Sequence, residues 1–169
     1  MNITLIGMPG AGKSFYGKLL AKELNYHFID IDALIEAEGM KIAEILTHRG
    51  NKKFSEIETE KTLSLQNITN TVIAPGGSVI YSEKAMEHLQ KIGAILYLEV
   101  PLKLLMQRVS QRDRNKETPI LGLQEKGWAA LYAERTQLYK KYANITITQT
   151  ATTTPQEIIQ KIVNQIKEQ

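Results

Sequence analysis

The sequence predicts an α/β fold: a single domain built on a parallel sheet of about five strands, with helices on both faces. Three observations carry this. Short apolar, β-rich runs alternate along the whole chain with longer segments of helical periodicity. That alternation is the pattern of crossover connections, which place strands parallel and cover both sides of the sheet. The 169 residues contain no internal repeat, low-complexity stretch or linker, so residues 1–169 read as one domain.

Each element has its own signal. ITLIG at the N-terminus is short and apolar and reads as a buried strand. KSFYGKLLAKEL follows, with Phe15, Leu19, Leu20 and Leu24 at helical spacing. YHFIDID is read as the second strand, which would put Asp30 and Asp32 on one face, two residues apart. ALIEAEGMKIAEILTHRG is a helical region broken near Gly39 and ended at Gly50, and KFSEIETEKTLSLQNI is a third helix. NTVIAPGG is a strand running into a glycine turn. SEKAMEHLQKIG is a helix with Ser82 as N-cap. AILYLEV is a strand, and PLKLLMQRVSQR is a helix with Pro101 in its first turn. DRNKETPILG is polar and basic, then turn-like at Pro119. WAALYAERTQLYKKYA is a long helix and NITIT a final strand. TPQEIIQKIVNQIKEQ closes the chain as an amphipathic helix, capped by Thr154 with Pro155 in its first turn.

Composition narrows the function. The chain has 21 basic and 18 acidic residues, a net charge of +3, and no long basic block, which argues against nucleic acid as partner. It has no cysteine, so disulfides and thiolate metal sites are excluded and a reducing compartment, the cytoplasm, is expected. No run approaches the ~20 apolar residues that span a bilayer, and no cleaved leader is expected at the N-terminus. The three histidines are scattered without metal-ligand spacing, so zinc is not expected.

The chemistry is concentrated at strand ends. GMPGAGKS is Gly7-x-x-x-x-Gly12-Lys13-Ser14, the P-loop pattern, between a buried strand and a helix as that motif requires. Its glycines turn backbone N–H groups toward phosphates, and the helix that follows adds its positive end. Lys13 reaches the β- and γ-phosphates and Ser14 is placed to ligate Mg²⁺. Asp30 and Asp32 offer a metal-side and an acceptor-side carboxylate, the second able to accept a hydroxyl proton; the weaker alternative is that one of them, Asp32 being suited to it, caps the next helix. P-loop, aspartates and the glycines after VIA all fall at strand carboxyl ends, where such sheets bind ligands. Trp128 and the tyrosines at 132, 139 and 142 recur at roughly helical spacing and are expected to pack a face.

With the P-loop, FIDID and VIAPGG in that order, then YLEV and the late ERTQLYKKYANITI, nearly the whole chain resembles the shikimate kinases. The resemblance implies a compact P-loop kinase that transfers phosphate from ATP to a hydroxyl of shikimate, with Mg²⁺. It implies nucleotide binding by Gly10, Ala11, Gly12, Lys13, Ser14 and Phe15, and a metal site at Ser14 with Asp30. It implies that Lys13 and Asp32 are catalytic, Asp32 as base, and that Asp32, Gly76, Gly77 and Arg135 bind the acceptor. A mobile lid is expected around residues 110–120, and the protein is expected to work as a monomer on ATP and a small hydroxylated metabolite, away from any membrane.

Three positions depart from that pattern. FSEIE has Ser55 where the family carries an arginine for the shikimate carboxylate, PGGS has Ser78 at the third glycine, and TPIL has Thr118 at a lid arginine. An arginine fork matches a carboxylate in a way serine cannot. In the lid, Arg112, Arg114 or Lys116 can replace the lost charge. On the acceptor side Arg49, Lys52 and Lys53 read rather as solvated surface. Two alternatives therefore stand beside shikimate phosphorylation: a related kinase for another small hydroxyl acceptor, a hydroxy acid or an amino acid, and a nucleotide-binding protein without kinase activity.

Overall fold

The computed structural model describes residues 1–111 and 119–168. The heart of the expected lid, with Arg112, Arg114, Lys116 and Thr118, lies outside the described residues.

Among the described residues, five strands and seven α-helices follow one another in the expected alternation. The strands are β1 (Asn2–Ile6), β2 (His27–Asp30), β3 (Thr71–Ala74), β4 (Gly93–Glu99) and β5 (Ile145–Thr148). The helices are α1 (Lys13–Leu24), α2 (Ile31–Glu36), α3 (Ile42–Leu63), α4 (Glu83–Ile92), α5 (Leu102–Ser110), α6 (Leu123–Tyr142) and α7 (Pro155–Lys167). The strands pair in the order β2-β3-β1-β4-β5, every neighbouring pair parallel. β1 is buried throughout. Its apolar run suits a central parallel strand, covered on both sides. The chain lays β2 and β3 to one side of β1 and β4 and β5 to the other, which puts at the carboxyl end of β1 the crevice where sheets of this kind bind ligands. Helix contacts fall into two groups, α1 with α7, and α4 with α3 and, through the short 3₁₀ turn Val79–Tyr81, with α6. No described helix is long and apolar enough to cross a membrane.

Local chemistry explains most boundaries. Ser82 caps α4 by accepting from Ala85 N at 3.3 Å. Thr154 and Glu157 form a capping box at α7, with Pro155 in the first turn. Pro101 stands one place earlier than expected, as the N-cap residue of α5 with extended backbone. The two helical readings on either side of Gly50 join into α3, kinked where Gly50 adopts φ 79°, ψ 171°.

The second strand is the main correction. It stops at Asp30, and Asp32 lies in the first turn of α2 rather than beside Asp30 on a strand face. The reason is a cap. Asp30 keeps extended backbone, and its Oδ1 accepts from Ala33 N at 3.2 Å, so the helix starts at once. Asp30, not Asp32, is the capping residue.

Candidate active site

A cavity of about 420 Å³ opens at the carboxyl ends of β1, β2 and β3. Lys13, Ser14, Phe15, Asp30, Asp32, Gly76, Gly77 and Arg135 all line it, with Gly10 and Gly12. These residues come from four separate parts of the sequence.

The P-loop supplies one part of the wall. Gly12 is the N-cap of α1 with φ +89°, and a Cβ there would meet the Tyr16 ring at 2.9 Å, so no other residue fits without strain. Lys13 Nζ donates to the carbonyls of Gly7 at 2.9 Å and Met8 at 3.3 Å, which folds its ammonium over the loop. Ser14 Oγ donates to Asp30 Oδ2 at 2.5 Å. Ala11 is fully buried, and its carbonyl accepts from Gln149 Nε2 at 2.9 Å. Gln149 Oε1 in turn accepts from Arg108 at 3.0 Å. Gln149 and Arg108 thus brace the loop from the far strand and from α5, a role that sequence reading did not find. The available signal was position, since Gln149 directly follows β5 at its carboxyl end.

The glycine turn after β3 supplies another part. A Cβ at Gly77 would lie 3.1 Å from Arg135 Nη1, so the guanidinium lies against the turn. Arg135 is 1% exposed, donates from Nη2 to Leu121 O at 2.7 Å and from Nε to Tyr81 Oη at 3.4 Å, and sits over the Tyr81 ring. Tyr139 Oη donates to Gly77 O at 2.6 Å while its ring stacks on Tyr97 of β4 at 5.0 Å. The expectation that the α6 aromatics pack a face therefore holds for Tyr139, with the addition that its hydroxyl anchors the turn. Ile42, Leu46, Phe54 and Leu121 give the cavity apolar walls. Ser55 is not among the lining residues, and Arg49, Lys52 and Lys53 are exposed, as a solvated surface would be.

Two acids, Asp32 in the cavity wall and the buried Glu58, are electrostatically unusual. Burial pushes the Asp32 carboxyl up to about 6; Lys13 opposes this, and Asp30 and Glu36 add to it. Burial pushes Glu58 up to about 7, opposed first by a hydrogen bond from Ser78 and further raised by Asp32. Chemically, the arrangement offers backbone and ammonium donors for phosphates, a hydroxyl and carboxylate of the kind that hold a hard cation, an acid–base carboxylate, and one guanidinium for an anionic group.

A family model for shikimate kinase matches residues 9–167. A shikimate kinase from Microcystis aeruginosa is 35% identical over 167 residues, covering 98% of this chain and 86% of its own. One from a Sulfurihydrogenibium species is 35% identical, covering 98% of each chain. Among solved structures, a shikimate kinase from Acinetobacter baumannii in complex with shikimate superposes with a TM-score of 0.87 at 33% identity, covering 99% of this chain and 93% of that one.

Proposed function

Because the chain belongs to the shikimate kinase family of ATP-dependent kinases, we propose that it transfers the γ-phosphoryl group of ATP to a hydroxyl of shikimate, giving shikimate 3-phosphate. The observation that carries this reading is convergence: Lys13 and Ser14 line the same cavity as Asp32, Gly77 and Arg135. Phosphoryl transfer needs little covalent chemistry from a protein, so placing both substrates and offsetting charge is most of the work.

In this mechanism backbone N–H groups of residues 10–15 hold the ATP phosphates, aided by the N-terminal end of α1. Lys13 leaves its loop carbonyls for the β- and γ-phosphates and offsets charge that grows during transfer. Asp32 accepts the proton of the attacking hydroxyl as the new P–O bond forms and the bond to the leaving ADP breaks. Burial has raised its basicity toward the working pH, which favours this role over that of an ordinary surface aspartate. Gly76 and Gly77 present backbone to the acceptor, and Arg135 pairs with its carboxylate. Ser14 and Asp30 would hold Mg²⁺. Their oxygens already sit side by side, and this ion needs only one or two protein oxygens beside phosphates and water. When bound it supplies positive charge to the phosphate chain.

The test is ADP release and product identification with shikimate as acceptor. Acceptor-dependent ADP with a new phosphate monoester on shikimate is the expected result; no turnover on shikimate refutes it. A second reading, the same chemistry on another small hydroxyl acceptor, draws on Ser55, which leaves the acceptor side without a second arginine. Screening hydroxy acids and hydroxyl-bearing amino acids in the same assay separates the two.

A further inference from the structure

Glu58 is not used by the mechanism above, yet it is placed under the acceptor-side turn. It sits on α3 and is 1% exposed. Its Oε2 accepts a hydrogen bond from Ser78 Oγ at 2.8 Å, and its Oε1 is buried with no hydrogen-bond partner among the described residues. A buried carboxylate is costly unless a cation or several donors meet it. Among the described residues Glu58 has one neutral hydroxyl and takes part in none of the ion pairs.

Asp32 Oδ1 is also buried with no hydrogen-bond partner among the described residues. Both orphaned oxygens face the same spot beside Gly76. A Cβ at that residue would fall on Glu58 Oε1 and would lie 3.3 Å from Asp32 Oδ1. If both groups were ionised, two acceptor-only oxygens would lie about one buried point with no donor between them among the described residues. One proton removes the conflict, because a protonated carboxyl becomes a donor. The charged groups around this spot are Arg135 from α6, Lys13 from α1, and Asp30 and Glu36 at the two ends of α2.

We propose that Glu58 is a neutral acid whose Oε1–H donates toward Asp32 Oδ1 while Ser78 fixes its other oxygen, making Glu58 a positioning residue for the acceptor-side carboxylate. The two serines that break the family pattern then belong together. The chain carries serine rather than arginine at 55, and at 78 it carries a hydroxyl that holds one Glu58 oxygen without supplying a countercharge. Of the two acids, Glu58 is the one to keep the proton. It is 1% exposed and its hydrogen-bond partner among the described residues is the neutral Ser78 hydroxyl, whereas Asp32 lines the open cavity together with Lys13. The tether at Oδ1 fixes the carboxylate plane of Asp32, so its other oxygen meets the acceptor hydroxyl in one orientation. The inference rests on Asp32 being the acceptor-side carboxylate.

Two measurements test it. Carbon-13 NMR of the intact protein, with labelled glutamate carboxyls, is expected to show one signal that titrates at about 7 and is missing from Glu58→Gln. If every glutamate titrates in the ordinary range near ~4.3, the proposal is overturned. In steady-state kinetics an amide can donate to Asp32 as the neutral acid does, whereas an alkyl chain cannot. Glu58→Gln is therefore expected to keep an acceptor KM roughly tenfold or more below that of Glu58→Leu; equal impairment overturns the donor role. If Glu58→Leu fails to fold, or if the wild type turns over no shikimate, the NMR titration still decides the protonation state on its own.

Discussion

Replacing Glu58 with glutamine should stabilise the protein by a margin that is small at pH 5 and grows to its full size by pH 8. The carboxyl has an ordinary value of 4.5 and is raised to about 7 in the fold, chiefly by burial. A raised acid pKa means that the folded state holds the proton when the unfolded state has released it. Stability from this group is therefore full below ~4.5, falls as pH rises, and is flat above ~7. The distance from 4.5 to about 7, at ~1.36 kcal/mol for each step of one in pH, corresponds to about 3 kcal/mol lost across that window. For a chain of this size that is on the order of 10 °C in Tm. Glutamine has the same shape and does not titrate, so the difference between variant and wild type isolates Glu58 from the histidines and surface acids. The assay is urea denaturation at half-unit steps from pH 5 to pH 8, comparing the two proteins at each pH. A difference that stays constant within ~0.5 kcal/mol would refute the reasoning. It would mean that the folded protein keeps Glu58 ionised, with Arg135 the nearby cation to examine first.

Lys13→Ala should lower kcat by roughly a hundredfold or more, since charge-offsetting donors commonly supply several kcal/mol of barrier; circular dichroism should show the fold intact, and near-normal turnover would remove the loop from the mechanism. Asp32→Asn should lower kcat far more than it weakens ATP binding, read by single-turnover assay beside nucleotide titration; equal losses would make Asp32 a metal or structural residue. Ser55→Arg should lower the KM for shikimate by one to two powers of ten, from ~1.5–3 kcal/mol for a charge-assisted hydrogen bond, and leave the KM for ATP unchanged. A rise in shikimate KM would count against shikimate and for an acceptor whose pocket rejects a guanidinium.

What the sequence made legible was what neighbouring residues decide together. The P-loop is a stretch of eight residues whose glycines, lysine and serine mean the same thing wherever a buried strand precedes them. The caps at Ser82 and Thr154 lie within three residues of the groups they bond. The second strand was misread where two local signals competed. Phe28 and Ile29 continue a strand pattern, but Asp30 accepts from Ala33 N, and the cap ends the strand. The supporting parts of the site were not legible because each joins distant segments. Glu58 meets Ser78 across 20 residues, Tyr139 meets Gly77 across 62, and Gln149 meets Ala11 across 138. No periodicity or spacing rule encodes such pairs; they exist only once the sheet order has brought β1, β3 and β5 to the same edge.

Tyr139 carries a consequence of its own. One face of its ring lies on Tyr97, in the strand beside the central one, and its hydroxyl holds the carbonyl of Gly77. The acceptor turn is therefore not a loop that evolution can retune in isolation. Any exchange in the interior that tilts this ring changes where the second substrate lies relative to Lys13, although it touches neither substrate. Acceptor choice in this chain is inherited partly from its core. A search for variants with altered acceptors should sample positions 97 and 139 together with the residues that face the cavity.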